Sequence, residues 1–382
     1  MKRQARKAGL DTGLILISLG VVFTAMFLSD SAGEITKTYM RKLGIMTASL
    51  SAPDAGVLVM REYMCSVISE HEGDTEPTIN QDPSEFTAEP EKREPEPEIP
   101  EITYDEKDIA AAESTIPPER RGVIEQIQFS STGDGANYFH SGNGSLRNAT
   151  DFATSEMQAV VDGEFGMHID KNSTEPQVLI VHTHSTESFD RFDAGFYDSE
   201  YPTRSTDSEK NIVAVGKVLC DTLNKIGINS VHATEYHDYP SYNNSYSRSR
   251  VTVQDYLTRF PSIKIVLDVH RDGIQREDGT RVKPTFISGG QKTAQIMIVC
   301  GAGDSDSAVP NFRENLKFAA RLQDSAQTLF PGFTRPALFA YRFYNHDLTT
   351  GSLVVEIGSE SNTLTEQKNA AKLLAYALDG AF

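Results

Sequence analysis

From about Gln177 onward, short apolar runs alternate with amphipathic stretches, and this alternation limits the fold more than any other feature of the chain. VLIV (178–181), SIKIVLDVHRD (262–272), QIMIVCG (295–301) and SLVVEIG (352–358) read as buried strands. SEKNIVAVGKVLCDTLNKIGI (208–228), NFRENLKFAARLQDSAQTLF (311–330) and EQKNAAKLLAYAL (366–378) read as helices with one apolar face. Strands that alternate with helices predict an α/β class, a three-layer domain around a largely parallel sheet. About 200 residues are enough to bury an ample core. The stretch 122–175 carries only short runs such as VIEQIQF and a Gly/Ser/Asn-rich segment.

Polar residues interrupt these strands in a pattern that packing does not require. His182 and His184 follow the first strand, with Glu187 close behind; His270 ends the second, followed by Arg271 and Asp272; Glu356 breaks SLVVEIG. Parallel strands share one carboxyl edge, where ligands bind, so these residues can meet in one crevice. An unpaired carboxylate within an apolar strand is expensive to bury. In the first helix Ile212, Val215, Leu219, Leu223 and Ile226 keep one face, and Glu209 lies three residues before Ile212. Glu209 therefore reads either as an inward carboxylate in the first turn, favoured by the helix dipole, or as a surface residue beside Ser208. Arg271 either steadies a neighbouring histidine or forms an ordinary ion pair. SYNNSYSRSR (241–250) suits a glycan or a peptide carboxylate and is also common loop composition. His232, His237 and His346 read as surface or core histidines. G-x-S-x-G, G-x-G-x-x-G and HExxH do not occur, so the mechanisms they carry lack support.

The net charge of −18 describes one segment. Between Glu70 and Asp108 there are 15 acidic and 3 basic residues, which supply −12 of it. This Pro/Glu-rich stretch is expected to be an extended, self-repelling spacer. The acidic balance gives no indication of a nucleic-acid partner. Ahead of it, Lys2, Arg3, Arg6 and Lys7 precede 18 uncharged residues, Thr12 to Ser29. As a helix these span about 27 Å, close to a bilayer core. A retained membrane anchor is expected, with the remainder outside; a cleaved signal peptide is the alternative. The expected organisation is a cationic start and anchor over 1–30, an extracytoplasmic spacer over 31–120, and a catalytic domain over 121–382. Cys65, Cys220 and Cys300 form no C-x-x-C pair, and the last two read as small core residues.

The long motifs VLIVHTHSTESF, YNNSYSRSR, IVLDVHRD and VVEIGSESNTLTEQKNAAKLLAYAL resemble the stage II sporulation protein P family, and more broadly the zinc-dependent N-acetylmuramoyl-L-alanine amidases of bacterial cell walls. The resemblance covers about residues 122–382 and the anchor with its spacer. It implies an amidase fold holding one Zn²⁺ through His184, Glu209 and His270, with Glu356 as the catalytic carboxylate. V-H-T-H stands where the amidases have D-P-G-H, which leaves His182 a rival of His184 as ligand. Glu187 has no counterpart in the amidase pattern and is left to orient a ligand histidine or line the cleft. The implied reaction is hydrolysis of the amide between N-acetylmuramic acid and L-alanine, with cleavage of peptide cross-links as a second activity. The implied setting is septal wall thinning during forespore engulfment, between mother-cell and forespore membranes, with stage II sporulation proteins D and M as partners. The alternative is an inactive wall-binding or scaffold protein that keeps the fold.

Overall fold

The computed structural model describes residues 104–303 and 308–382. The expected anchor, most of the spacer and Cys65 lie outside the described residues. Strands are β1 (Arg121–Ile127), β2 (Tyr138–Ser141), β3 (Gly144–Ala149), β4 (Val178–Val181), β5 (Phe196–Asp198), β6 (Ser230–His232), β7 (Ile265–Asp272), β8 (Arg281–Ser288), β9 (Gln291–Ala294), β10 (Ile296–Gly301), β11 (Ala337–Ala340) and β12 (Ser352–Ser359). Helices are α1 (Glu106–Thr115), α2 (Thr154–Val161), α3 (Ile212–Lys225), α4 (Ser245–Arg259), α5 (Phe312–Leu329) and α6 (Leu364–Asp379). Among the described residues no helix is long and apolar enough to cross a membrane.

Eight strands form the main sheet in the order β2-β3-β11-β10-β12-β7-β4-β6. Two of its pairings, β2–β3 and β10–β12, are antiparallel and the others are parallel. The fold is thus mixed α/β, since apolar runs mark a buried strand but not its direction. A second, four-stranded sheet, β5-β1-β8-β9, comes partly from the segment of weak sequence signals. The folded part also begins earlier than residue 121. Ala112 and Ile116 of the α1 region pack against Ala194, Phe192 and Phe196, so 106–120 belong to the domain rather than to the spacer.

Strand alternation divides the core. Val178, Ile180, Leu267, Val269, Val355 and Ile357 face the side covered by α3, α5 and α6. Leu179, Val181 and Val266 face the other side, where Val253 and Tyr256 of α4 cover them. Beyond α4 that face carries a small patch of Met297, Val299 and Val354 under Leu338 and Tyr344. Asp268 and His270 on β7 and Glu356 on β12 lie on this thinly covered face, one or two strand periods from Val266 and Val354.

Both sheet edges are closed by side-chain amides. Gln158 accepts from the His140 amide and donates to its carbonyl, both at 2.9 Å. Asn224 does the same to Ser230, at 2.8 and 3.2 Å. Each amide occupies the donor and acceptor that a further strand would use.

Candidate active site

β7 and β12 set the centre of the site. They pair in parallel with His270 opposite Glu356, which places an imidazole and a carboxyl side by side on one face. The pairing shifts just after Glu356. Gly358 adopts φ +59° there, and a Cβ would collide with the Asn362 and Gln367 side chains, so the chain can turn in this way only with glycine.

The histidines after β4 separate cleanly. His182 is fully buried; its Nδ1 is 2.7 Å from the Val269 carbonyl and its Nε2 is 2.8 Å from His232 Nε2. Both ring nitrogens are engaged within the core. His184 turns to the site, its ring edge-on to His270 with centroids 5.2 Å apart. The ring of Tyr242 stacks on His184 at 4.6 Å, and its hydroxyl lies 3.1 Å from Nε2. Burial first, then His270 and Arg204, hold His184 far below the usual imidazole range, so it is neutral.

The carboxylate beside these histidines is Glu187. The turn after β4 carries it back over β7, where Oε2 accepts the Arg271 amide at 3.1 Å and stands 3.6 Å from His270 Nδ1. Its carbonyl accepts the Ile212 amide at 2.8 Å, which joins the turn to the start of α3. Glu209 does not enter this group. The helix begins at Ile212 with Asn211 as its cap, and Glu209 sits in the preceding turn, exposed to solvent. Helical periodicity, extended back from Ile212, placed it on an inward face that the chain does not form there. The Arg271 guanidinium donates to the carbonyls of Asp272 and Thr203, at 3.3 and 3.4 Å.

Asp268, which sequence reasoning passed over, completes the group. One oxygen accepts the Thr183 amide at 2.8 Å and lies 2.8 Å from His270 Nε2; the other accepts the Thr183 hydroxyl at 2.6 Å. The two-residue spacing of Asp268 and His270 on a strand was the available signal. Burial raises Asp268, but His270 and Thr183 outweigh it and hold the carboxyl well below its usual range. Burial pulls His270 down, yet Asp268, Glu187 and Glu356 prevail and hold it at about 10. Burial pushes Glu356 up to about 8 against the pull of His270, and its Oε2 has no hydrogen-bond partner. Three carboxyl groups thus surround one cationic imidazole. Among the described residues, no three or more His, Cys, Asp or Glu side chains are placed so that together they could hold a metal ion as they stand.

Several known proteins are similar to this chain. The N-acetylmuramoyl-L-alanine amidase AmiC2 of Nostoc punctiforme is 11% identical, with 55% of this chain and 97% of that one covered and a TM-score of 0.33. The CwlD amidase of Clostridioides difficile, solved with the GerS lipoprotein, is 11% identical over 54% and 95%, with a TM-score of 0.32. Stage II sporulation protein P of Bacillus subtilis (strain 168) is 30% identical over 209 residues, 52% of this chain and 49% of that protein. The chain therefore spans about half the length of the curated relative it matches. The family model of stage II sporulation protein P matches residues 55–379, and the chain belongs to that family.

Proposed function

We propose that this protein is a zinc-dependent peptidoglycan amidase of sporulation, cleaving the bond between the lactyl group of N-acetylmuramic acid and L-alanine. Glu187, His184 and His270 are the proposed metal ligands, with Glu187 in the role first expected of Glu209. The observation that carries this reading is the spacing of Glu187 Oε2 and His270 Nδ1. At 3.6 Å they are too far apart to share a proton well. Two such ligands on one tetrahedral zinc would stand about 3.4 Å apart. The surplus of buried carboxyl groups around His270 suits a dication that replaces the imidazole proton. Bound there, zinc would polarise the scissile carbonyl and acidify water.

The chain's own groups supply the rest. Asp268, anchored by Thr183, stands 2.8 Å from His270 Nε2 on the side opposite Glu187 and is the proposed partner that steadies the ring by charge, the contact being too bent for a good hydrogen bond. Glu356 is the proposed general base. A carboxyl raised toward 8 binds a proton firmly enough to take it from water and weakly enough to pass it to the leaving amine. Its orphan Oε2 is available for that exchange. The Tyr242 hydroxyl lies 3.1 Å from His184 Nε2 and the Ser245 hydroxyl 3.5 Å from Nδ1; for His184 to hold zinc one of these contacts must give way, and the other would orient the ring. Cleavage of peptide cross-links is proposed as a second activity, sporulation proteins D and M as partners, and an anchored, extracytoplasmic placement as the setting.

The test is digestion of purified wall by the full chain with zinc, read by mass spectrometry of the products. The expected products are stem peptides with a free amino-terminal alanine and lactyl saccharides without peptide. Glu356→Gln should retain zinc and lower the rate by about 10² to 10⁴, the usual contribution of general acid–base catalysis. Products cut only within the peptide would overturn the proposed bond, and near-normal turnover of the variant would remove Glu356 from the mechanism.

A further inference from the structure

We infer that Tyr246 and Tyr344 form a saccharide-binding wall beside the reacting groups, receiving the amino-sugar side of the scissile amide. This rests on the amidase reading above and adds to it the part of the substrate that sets specificity. The first observation is backbone strain. Among the described residues three that are not glycine have φ in the left-handed region: Asn244 at +66°, Tyr344 at +47° and Asn345 at +56°. Asparagine adopts this region readily, so Tyr344 is the unusual one, and such strain collects where function holds it in place.

All three belong to one corner. Asn244 precedes α4 and delivers Tyr246 in its first turn. Asn345 donates from Nδ2 to the Tyr246 carbonyl at 3.0 Å and to the Ser249 hydroxyl at 3.2 Å. The strained loop that bears one tyrosine is therefore tied to the helix that bears the other. The two rings stack with centroids 5.1 Å apart at 22°. Tyr246 also lies nearly parallel to His270, 6.5 Å away at 11°, and edge-on to His184 at 5.7 Å. The wall thus starts at the proposed ligands and leads away from them.

A bland account makes Tyr344 a cover for Met297, Val299 and Val354, which it does contact. An apolar cover needs no left-handed backbone, and any large side chain on a relaxed loop would serve. Both tyrosines keep part of their surface exposed, while burial pushes both hydroxyls above their usual range. The polar groups around them carry both signs: Arg250 paired with Asp347 at 2.7 Å, and exposed Arg342. Aromatic faces match the C–H face of a pyranose, and a rim of mixed donors and acceptors matches hydroxyl and acetamido groups, which also donate and accept. A stem peptide, rich in carboxylate, has no such need of a flat apolar face.

The experiment compares two substrates on the full chain with zinc: an N-acetylated disaccharide-peptide, and the same peptide carrying only a lactyl group. The preference for the saccharide substrate, as a ratio of kcat/KM values, should fall about tenfold in Tyr344→Leu, the size of one lost aromatic contact. The fall should come through KM, and Tyr344→Phe should restore most of the preference, because the ring face is kept. An equal loss on both substrates, or a preference that Leu preserves, would overturn the wall. If the unaltered chain cleaves neither substrate, the amidase reading fails, and the wall is judged by saturation-transfer NMR with the disaccharide alone. Transfer that disappears in Tyr344→Leu supports it, and no transfer to the unaltered chain overturns it.

Discussion

Glu187 and Glu209 are both carboxylates within reach of the start of α3 in sequence, and only their surroundings tell them apart. Glu187 is buried and bound to the Arg271 amide beside His270, whereas Glu209 is exposed. Alanine at His184, Glu187 or His270 should each abolish zinc binding, and Glu209→Ala should retain it, by elemental analysis of purified protein. Retention of zinc by Glu187→Ala together with its loss in Glu209→Ala would reverse the assignment. Asp190 gives a pH effect with a clear sign. Burial first, against its contact with the Arg191 amide, raises its carboxyl from 3.8 to about 6. Below 3.8 it is protonated whether the chain is folded or unfolded, and stability is unaffected. As pH rises to 6 the unfolded chain ionises first, so stability falls, and above 6 the full penalty is present. Asp190→Asn keeps an acceptor for the Arg191 amide. It should therefore stabilise the chain at pH 8 by about 3 kcal/mol and leave it nearly unchanged at pH 3.5, by denaturant unfolding. Equal effects at both pH values would show that ionisation is not the cause.

At the scale of elements, the approach of α3 to the sheet decides what His182 can do. A Cβ at Gly216 would come within 2.3 Å of His182 Nε2 and 2.7 Å of His232 Nε2. The helix lies this close only because residue 216 has no side chain, and the histidine pair fills the space left. Gly216→Ala should displace the pair and cost about 1–3 kcal/mol of stability, the range for an overpacked core, despite the better helix propensity of alanine. Zinc content should be retained, since His182 is not a proposed ligand. A stable variant without zinc would restore His182 as a ligand. The sequence signalled the presence of α3, α5 and α6, with ends within about four residues of those observed. It did not signal α4. SYNNSYSRSR has the composition of a loop, and α4 forms because Val253 and Tyr256 pack on Leu179, Val181 and Val266.

For the molecule as a whole, the buried charge around His270 ties metal to stability. Zinc at 100 times its dissociation constant should stabilise the fold by about 2.7 kcal/mol if it binds only the folded chain. Because His270 must give up a proton held to about 10, affinity and stabilisation should both weaken as pH falls. Thermal melts of the full chain with zinc and with chelator, at pH 6 and pH 8, measure this; identical melts would count against a metal held by these residues. The sequence alone determined the α/β class, the positions of β4, β7, β10 and β12, and the candidacy of His184, His270 and Glu356. These depend on local apolar periodicity and on polar residues that break it, both of which are written along the chain. Strand direction and the engagement of His182 in the core were decided only by the tertiary structure, and the proposals that prefer Glu187 to Glu209 and give roles to Asp268, Tyr246 and Tyr344 rest on it alone. Each depends on which residues meet across β7 and its neighbours, and contacts between segments as distant as Glu187 and His270 leave no periodic trace in either one.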